Sequence, residues 1–167
     1  RLSWKNPWFS VASLNMNPLA HARETFDLEI SGLRAVRRRL DASFTRAAEF
    51  VVQTLARNRK LVVVGVGKSG NIGRKIAATL TSTGSTSVLL DPVDALHGDL
   101  GIISDGDLVL LLSYSGTTQE LVDLMPAIKR FPVKIITMTG APRSILAHHS
   151  DLILNVQVPR EACPFNL

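Results

Sequence analysis

The chain has 167 residues, 46% of them hydrophobic, and a formal net charge of +5 at pH 7, a balance that suits one domain around a single buried core. Basic residues gather at Arg34, Arg37, Arg38, Arg39, Arg46, Arg57, Arg59 and Lys60, but with 5% aromatic content and no reading motif they form a solvated helix face, and no nucleic-acid partner is expected. No run of 18 apolar residues offers a membrane-spanning helix. The lone Cys163 permits no intrachain disulfide and makes no metal site by itself, so a cytoplasmic chain is expected.

Residues 1–16, from Arg1 to Met16, contain Pro7 and lack the uninterrupted apolar core of a signal peptide, and read as a flexible or non-native leader. Residues 17–59 form a helical region, with Phe26, Ile30, Leu33, Leu40, Phe44, Ala47, Val51 and Leu55 in the three-and-four spacing of an amphipathic helix. Gly32 and the stretch Asp41-Ala42-Ser43 argue for a bend or a break, leaving one helix or two open. Such a stripe serves either to cover a sheet or to pack on a second subunit.

From residue 60 onward, short Val-, Ile- and Leu-rich runs at about 61–65, 86–91, 107–113, 133–138 and 151–156 predict strands buried on both faces. They alternate with helical patterns over about 70–81, 117–130 and 142–148. That order predicts an α/β fold, a doubly wound five-stranded parallel sheet, with its ligand off the carboxyl ends of the strands.

Two strand-to-helix loops have the character of phosphate cradles. The first, Gly65-Val66-Gly67-Lys68-Ser69-Gly70, matches the spacing of a dinucleotide fingerprint, and Asp91 ends the next strand. The Walker pattern fails, because the required earlier glycine is Val62. The second, Ser113-Tyr114-Ser115-Gly116-Thr117-Thr118, brings three spaced hydroxyls and a glycine to a helix start, where free N–H groups and the helix dipole favour an anion. An ordinary capped turn needs one hydroxyl; a dinucleotide enzyme needs no second, hydroxyl-rich loop. A small phosphorylated ligand uses both.

With His97-Gly98-Asp99-Leu100-Gly101 and Arg160-Glu161-Ala162-Cys163-Pro164, these segments resemble the sugar isomerase (SIS) family, most closely its arabinose-5-phosphate isomerase branch, from about Asn17 to Leu167. The resemblance implies an aldose–ketose isomerase that interconverts ribulose 5-phosphate and arabinose 5-phosphate for Kdo synthesis. It implies a homo-oligomer, dimer or tetramer, and no cofactor. The family continues past the Glu-Ala-Cys-Pro segment with a closing helix and a Ser-His-Pro-Gly-Gly segment that do not follow here, so a non-catalytic sugar-phosphate-binding module is the second expectation.

Aldose–ketose isomerisation needs a base beside the carbonyl carbon and groups that polarise the exchanging oxygens. Glu161, after the fifth strand, and Glu120, in the first turn of the helix behind the hydroxyl loop, are the candidate carboxylates; the resemblance gives both a catalytic role. Either has an ordinary alternative, Glu120 as an acid complementing a helix dipole and Glu161 as a solvated loop acid. Lys68 is placed to pair a phosphate or an enediolate. Phosphate and substrate are assigned to Gly67, Ser69, Ser113, Ser115, Gly116, Thr117 and Thr118, with His97 a substrate contact by resemblance. His148 and His149 end a short helix and are read as dipole partners; Cys163, without an adjacent base, is read as a buried inert thiol. No metal set is visible.

Overall fold

The computed structural model describes residues 17–163; the leader predicted over 1–16 lies outside them. Two helices open the fold, α1 (Pro18–Arg39) and α2 (Ala42–Ala56). Asn17 caps α1 by accepting from the N–H groups of Leu19 and Ala20, with proline at its start. The break falls at Leu40 and Asp41, both extended. The Asp41 carboxylate accepts from Ser43 N–H at 2.8 Å, and these Ser43 hydrogen bonds hold its carboxyl below the ordinary aspartate value. Gly32, the other suspected break, lies inside α1 and is buried.

The sheet contains β1 (Leu61–Gly65), β2 (Ser87–Leu90), β3 (Leu108–Leu112), β4 (Lys134–Thr139) and β5 (Leu152–Asn155). All pairings are parallel, in the order β2-β1-β3-β4-β5. Between them run α3 (Gly67–Ser82), α4 (Pro92–Leu96), a 3-10 turn (Asp99–Ile102), α5 (Gln119–Ile128) and α6 (Ile145–His148). The doubly wound arrangement is as expected, with two shifts. Helix α3 starts within the glycine loop rather than after it, and α6 is one turn long. Burial on both faces holds for the central strands; the edge strands β2 and β5 are mostly half-buried.

Side chains alternate across a strand, and the core divides accordingly. Val62, Val64, Val109, Leu111 and Ile135 face α4, α5 and α6, meeting Ala95, Leu121, Leu124, Ile128 and Leu146. On the other face Leu61, Leu108, Ile136 and Leu152 pack with Ala47 of α2, and Val63 and Leu112 with Ala77 of α3. The predicted stripe thus splits in function. Ala47, Val51 and Leu55 of α2 cover the sheet, whereas Phe26, Ile30 and Leu33 of α1, Leu40 at the break and Phe44 at the start of α2 are exposed.

Two aspartates clasp the amino ends of the strands. Asp107 is 1% exposed; its carboxylate accepts from Lys60 Nζ at 2.6 Å, Lys60 N–H at 3.1 Å and Ser104 N–H at 2.8 Å. Asp151 accepts from Lys134 Nζ at 2.7 Å and Ile135 N–H at 2.9 Å. Burial disfavours the charged form of Asp151, but these bonds and the nearby Lys134 and Lys129 charges outweigh it and hold the carboxyl below its ordinary value.

Replacing Asp107 with alanine strands a half-buried ammonium and two backbone N–H groups. We expect a loss of about 2–3 kcal/mol, read by urea denaturation, from the cost of breaking one side of a buried pair. Asp151 titrates lower folded than unfolded, so its contribution is complete above about pH 4 and is lost as pH falls through the folded value. Asp151→Asn should therefore flatten the acid limb of the stability–pH curve and leave its slope near pH 7 unchanged.

Candidate functional site

Strand order 2-1-3-4-5 reverses direction between β1 and β3, and ligands of such sheets lie outside the carboxyl ends at that switch point. The two predicted loops emerge there side by side. In the first, strand and helix approach so closely that a Cβ on Gly70 would lie 2.7 Å from Gly65 O. Gly67 and Lys68 are exposed at the head of α3, whose first-turn N–H groups and dipole face outward.

The hydroxyl loop is braced from within. Ser113, 3% exposed, accepts from Gly116 N–H at 3.0 Å and shares a proton with Thr118 Oγ1 at 2.7 Å. Two hydroxyls with one bond between them leave one O–H to donate outward. Ser115 Oγ accepts from Thr117 N–H and Oγ1 at 3.3 and 3.2 Å, which leaves its own proton to donate. Ser113 is therefore a buried brace under the loop, and Ser115 and Thr117 are its exposed hydroxyls.

Gly116 has φ +65° and no room for a side chain. A Cβ there would collide with Ser144 Oγ and Cβ, and lie 3.1 Å from Thr139 Oγ1. Among the described residues Ser144 Oγ is the buried side-chain polar atom without a hydrogen-bond partner. The β4–α6 connection thus forms the floor of the loop, with Leu146 N–H donating to Gly116 O at 3.2 Å.

A cleft of about 630 Å³ adjoins these loops, lined by Lys68, Ser69, Ile72, Tyr114, Val158, Pro159, Arg160 and Glu161. It brings together two predicted catalytic residues, Lys68 and Glu161, from opposite ends of the sheet-forming chain, and its two cations against one carboxylate suit an anion. Glu120 is half-buried in the first turn of α5 and does not line the cleft. Neither does His97, exposed at the end of α4. Asp91, the acid of the dinucleotide fingerprint, caps α4 by accepting from Val93 N–H at 2.8 Å.

Cys163 is half-buried rather than buried. His148 does end α6, and His149 lies 3.1 Å from Lys129 Nζ through its Nδ1. No group of three or more His, Cys, Asp or Glu able to hold a metal occurs among the described residues. Sequence reasoning gave no role to Tyr114 or Arg160. Both sit inside quoted motifs, and Tyr114 is the one bulky residue in a loop of small ones.

Gly116→Ala combines a left-handed backbone with a collision in the loop floor. We expect a lower melting temperature, by about 1–3 kcal/mol of stability, and loss of phosphate binding measured by calorimetry. Gly84→Ala also has positive φ but open space around it, and should lose stability alone.

Residues 54–166 match the SIS domain family. The chain is 44% identical over 155 residues to arabinose 5-phosphate isomerase KdsD of Pseudomonas aeruginosa, covering 93% of this chain and 47% of that protein. It is 42% identical over 147 residues to the KdsD of Francisella tularensis, covering 88% and 45%. The chain therefore spans about half the length of the curated relatives it matches. Among solved structures, E. coli CFT073 c3406 in complex with arabinose 5-phosphate superposes with a TM-score of 0.76 at 36% identity, covering 91% of this chain and 81% of that one. The glycine and hydroxyl loops at the switch point, the parallel sheet and the matched residues agree: this chain belongs to the SIS domain family.

Proposed function

We propose that the chain carries the phosphosugar site of an aldose–ketose isomerase that interconverts ribulose 5-phosphate and arabinose 5-phosphate, placing it in the cytoplasmic supply of sugar for Kdo. The observation that carries this reading is the convergence of Lys68, Arg160 and Glu161 on one cleft beside the hydroxyl loop. Residues 60–167 form the phosphosugar-binding unit, and residues 17–59 the helical region docked on it.

The phosphate is held by the outward hydroxyls of Ser115, Thr117 and Thr118 and the N–H groups heading α5, with Ser113 and Gly116 fixing the loop's shape. Ser69 and the backbone at Gly67 approach the sugar from the other loop. Starting from the aldose, a carboxylate removes the proton from C2, the C2–H electrons form the C1–C2 double bond, and the carbonyl electrons pass to O1. The proton then returns to C1 while the O2 proton passes to O1; the C1–C2 double-bond electrons take up the proton, the O2 electrons form the C2 carbonyl, and the ketose results. Glu161 is the carboxylate assigned to this transfer, and the Lys68 ammonium stabilises the oxyanion. Glu120 and His97 lie outside this cleft and are given no step in the transfer.

The activity itself is a conversion of arabinose 5-phosphate to ribulose 5-phosphate followed colorimetrically. Glu161→Gln should lower kcat by at least about 100-fold, in line with the usual 10²–10⁴-fold contribution of a general base, and leave sugar-phosphate affinity within a few-fold. Binding by the wild type with no turnover would instead identify a sugar-phosphate-binding module. Saturable NADH binding in place of phosphosugar binding would contradict the assignment.

A homo-oligomer is part of the same proposal. Leu19, Phe26 and Leu33 recur every seven residues along α1, with Leu40 at its cap continuing the spacing, and these four are 56–72% exposed, the pattern of a helix seam that another helix covers. Burying it in a second copy makes stability depend on protomer concentration. Light scattering should show a dimer or larger, with a melting temperature that rises with concentration. A monodisperse monomer with a constant melting temperature would exclude it.

A further inference from the structure

Beyond β5 the chain runs as a strap, Val156 to Cys163, across the carboxyl end of the sheet, and this strap carries Glu161. What fixes its position is visible at two neighbouring residues. On one side the Arg39 guanidinium donates to Gln157 O, and Val158 Cγ1 lies 3.2 Å from where a Cβ on Gly32 would be. On the other side, Val158 N–H donates to Tyr114 Oη at 3.1 Å.

Tyr114 belongs to the phosphate loop, 44 residues earlier in the chain. Its own carbonyl accepts from Gly140 N–H at 2.9 Å and from Thr139 Oγ1 at 3.1 Å. Its ring lies so close over Gly140 that a Cβ there would be 2.6 Å from the ring edge. One side chain therefore spans the β3 loop, the β4 loop and the strap. Because Oη accepts from the strap, the ring and the phenol oxygen reach past the phosphate loop to a point three residues from Glu161, about 10 Å of extended chain.

We propose that Tyr114 is a positioning residue which couples the phosphate-binding loop to the strap that carries Glu161. The proposal rests on the assignment of Glu161 as the proton-transferring carboxylate. Its physical content is that an anion seated on Ser115–Thr118 orders Tyr114, and that Tyr114 in turn restricts Glu161 through Val158. A misplacement of about 1 Å at a reacting group can cost 10²-fold in rate without removing any substrate contact.

Tyr114→Phe removes the Val158 acceptor and keeps the ring over Gly140. We expect kcat for arabinose 5-phosphate to fall at least about tenfold while KM stays within about threefold, with a melting temperature close to wild type, which separates the effect from a loss of folded protein. Hydrogen exchange on the intact chain gives a readout independent of turnover. Inorganic phosphate should slow exchange in both the 113–118 loop and the 156–163 strap of the wild type, and in Tyr114→Phe should slow it in the loop alone. An unchanged kcat in Tyr114→Phe, or strap protection by phosphate equal to wild type, would overturn the proposal. Should Glu161→Gln turn over normally, the catalytic assignment fails by itself, and the exchange experiment still decides whether loop and strap are coupled.

Discussion

The cleft depends on β1 and β3 lying side by side in a parallel sheet. Each strand ends in a loop that opens a helix, and adjacency aims the heads of α3 and α5 at one crevice. Two sets of free N–H groups and two positive dipole ends then meet where neither strand needs hydrogen-bond partners. That geometry favours an anion before any side chain is counted. Lys68 and Arg160 add charge to a place the backbone has already made electropositive, and the close Gly65–Gly70 contact and the left-handed Gly116 let the main chain come near enough to use it.

Where the backbone makes the crevice electropositive, side chains shape it. Ser113 is buried and holds the loop's shape, so the loop is braced by a hydroxyl that faces inward and presents others, Ser115 and Thr117, outward. The carboxylate side of the cleft is built differently. Glu161 rides on an irregular strap whose hydrogen bonds run to Tyr114 and Arg39, from the hydroxyl loop and α1 respectively. Helix α1 buries little more than Gly32 and Ala35 against the rest of the chain, so the strap it braces and the face it leaves exposed are the two sides of one element.

The sheet was legible because its signal is local. Runs such as Leu61–Gly65 and Leu108–Leu112 are apolar throughout, as strands covered on both faces must be, and the observed spans differ from the expected ones only at their ends. The loops were legible because glycine and clustered hydroxyls at a strand-to-helix junction have few other uses. The fate of the stripe from Phe26 to Leu55 was not, since periodicity records that a face is apolar and is silent about what covers it. The cleft's composition was legible only in part. Lys68 and Glu161 stand in motifs, but their meeting is a product of tertiary crossing, and so is the outward placement of His97. Tyr114 was hidden for the same reason: its partner Val158 is 44 residues away, and nothing in a Ser-Tyr-Ser triplet announces it.

The claim underlying the account is that a phosphosugar occupies the crevice between the β1 and β3 loops. Titrating the labelled protein with arabinose 5-phosphate while recording backbone amide NMR shifts tests it residue by residue. A phosphosugar bound there should give saturable shifts concentrated at 66–70 and 115–120, the N–H groups that head α3 and α5, with smaller ones along 158–161. No saturable shift would contradict it. So would shifts centred on the 410 Å³ hollow at the opposite end of the sheet, lined by Gln53, Arg57, Asp107 and Lys134 among others.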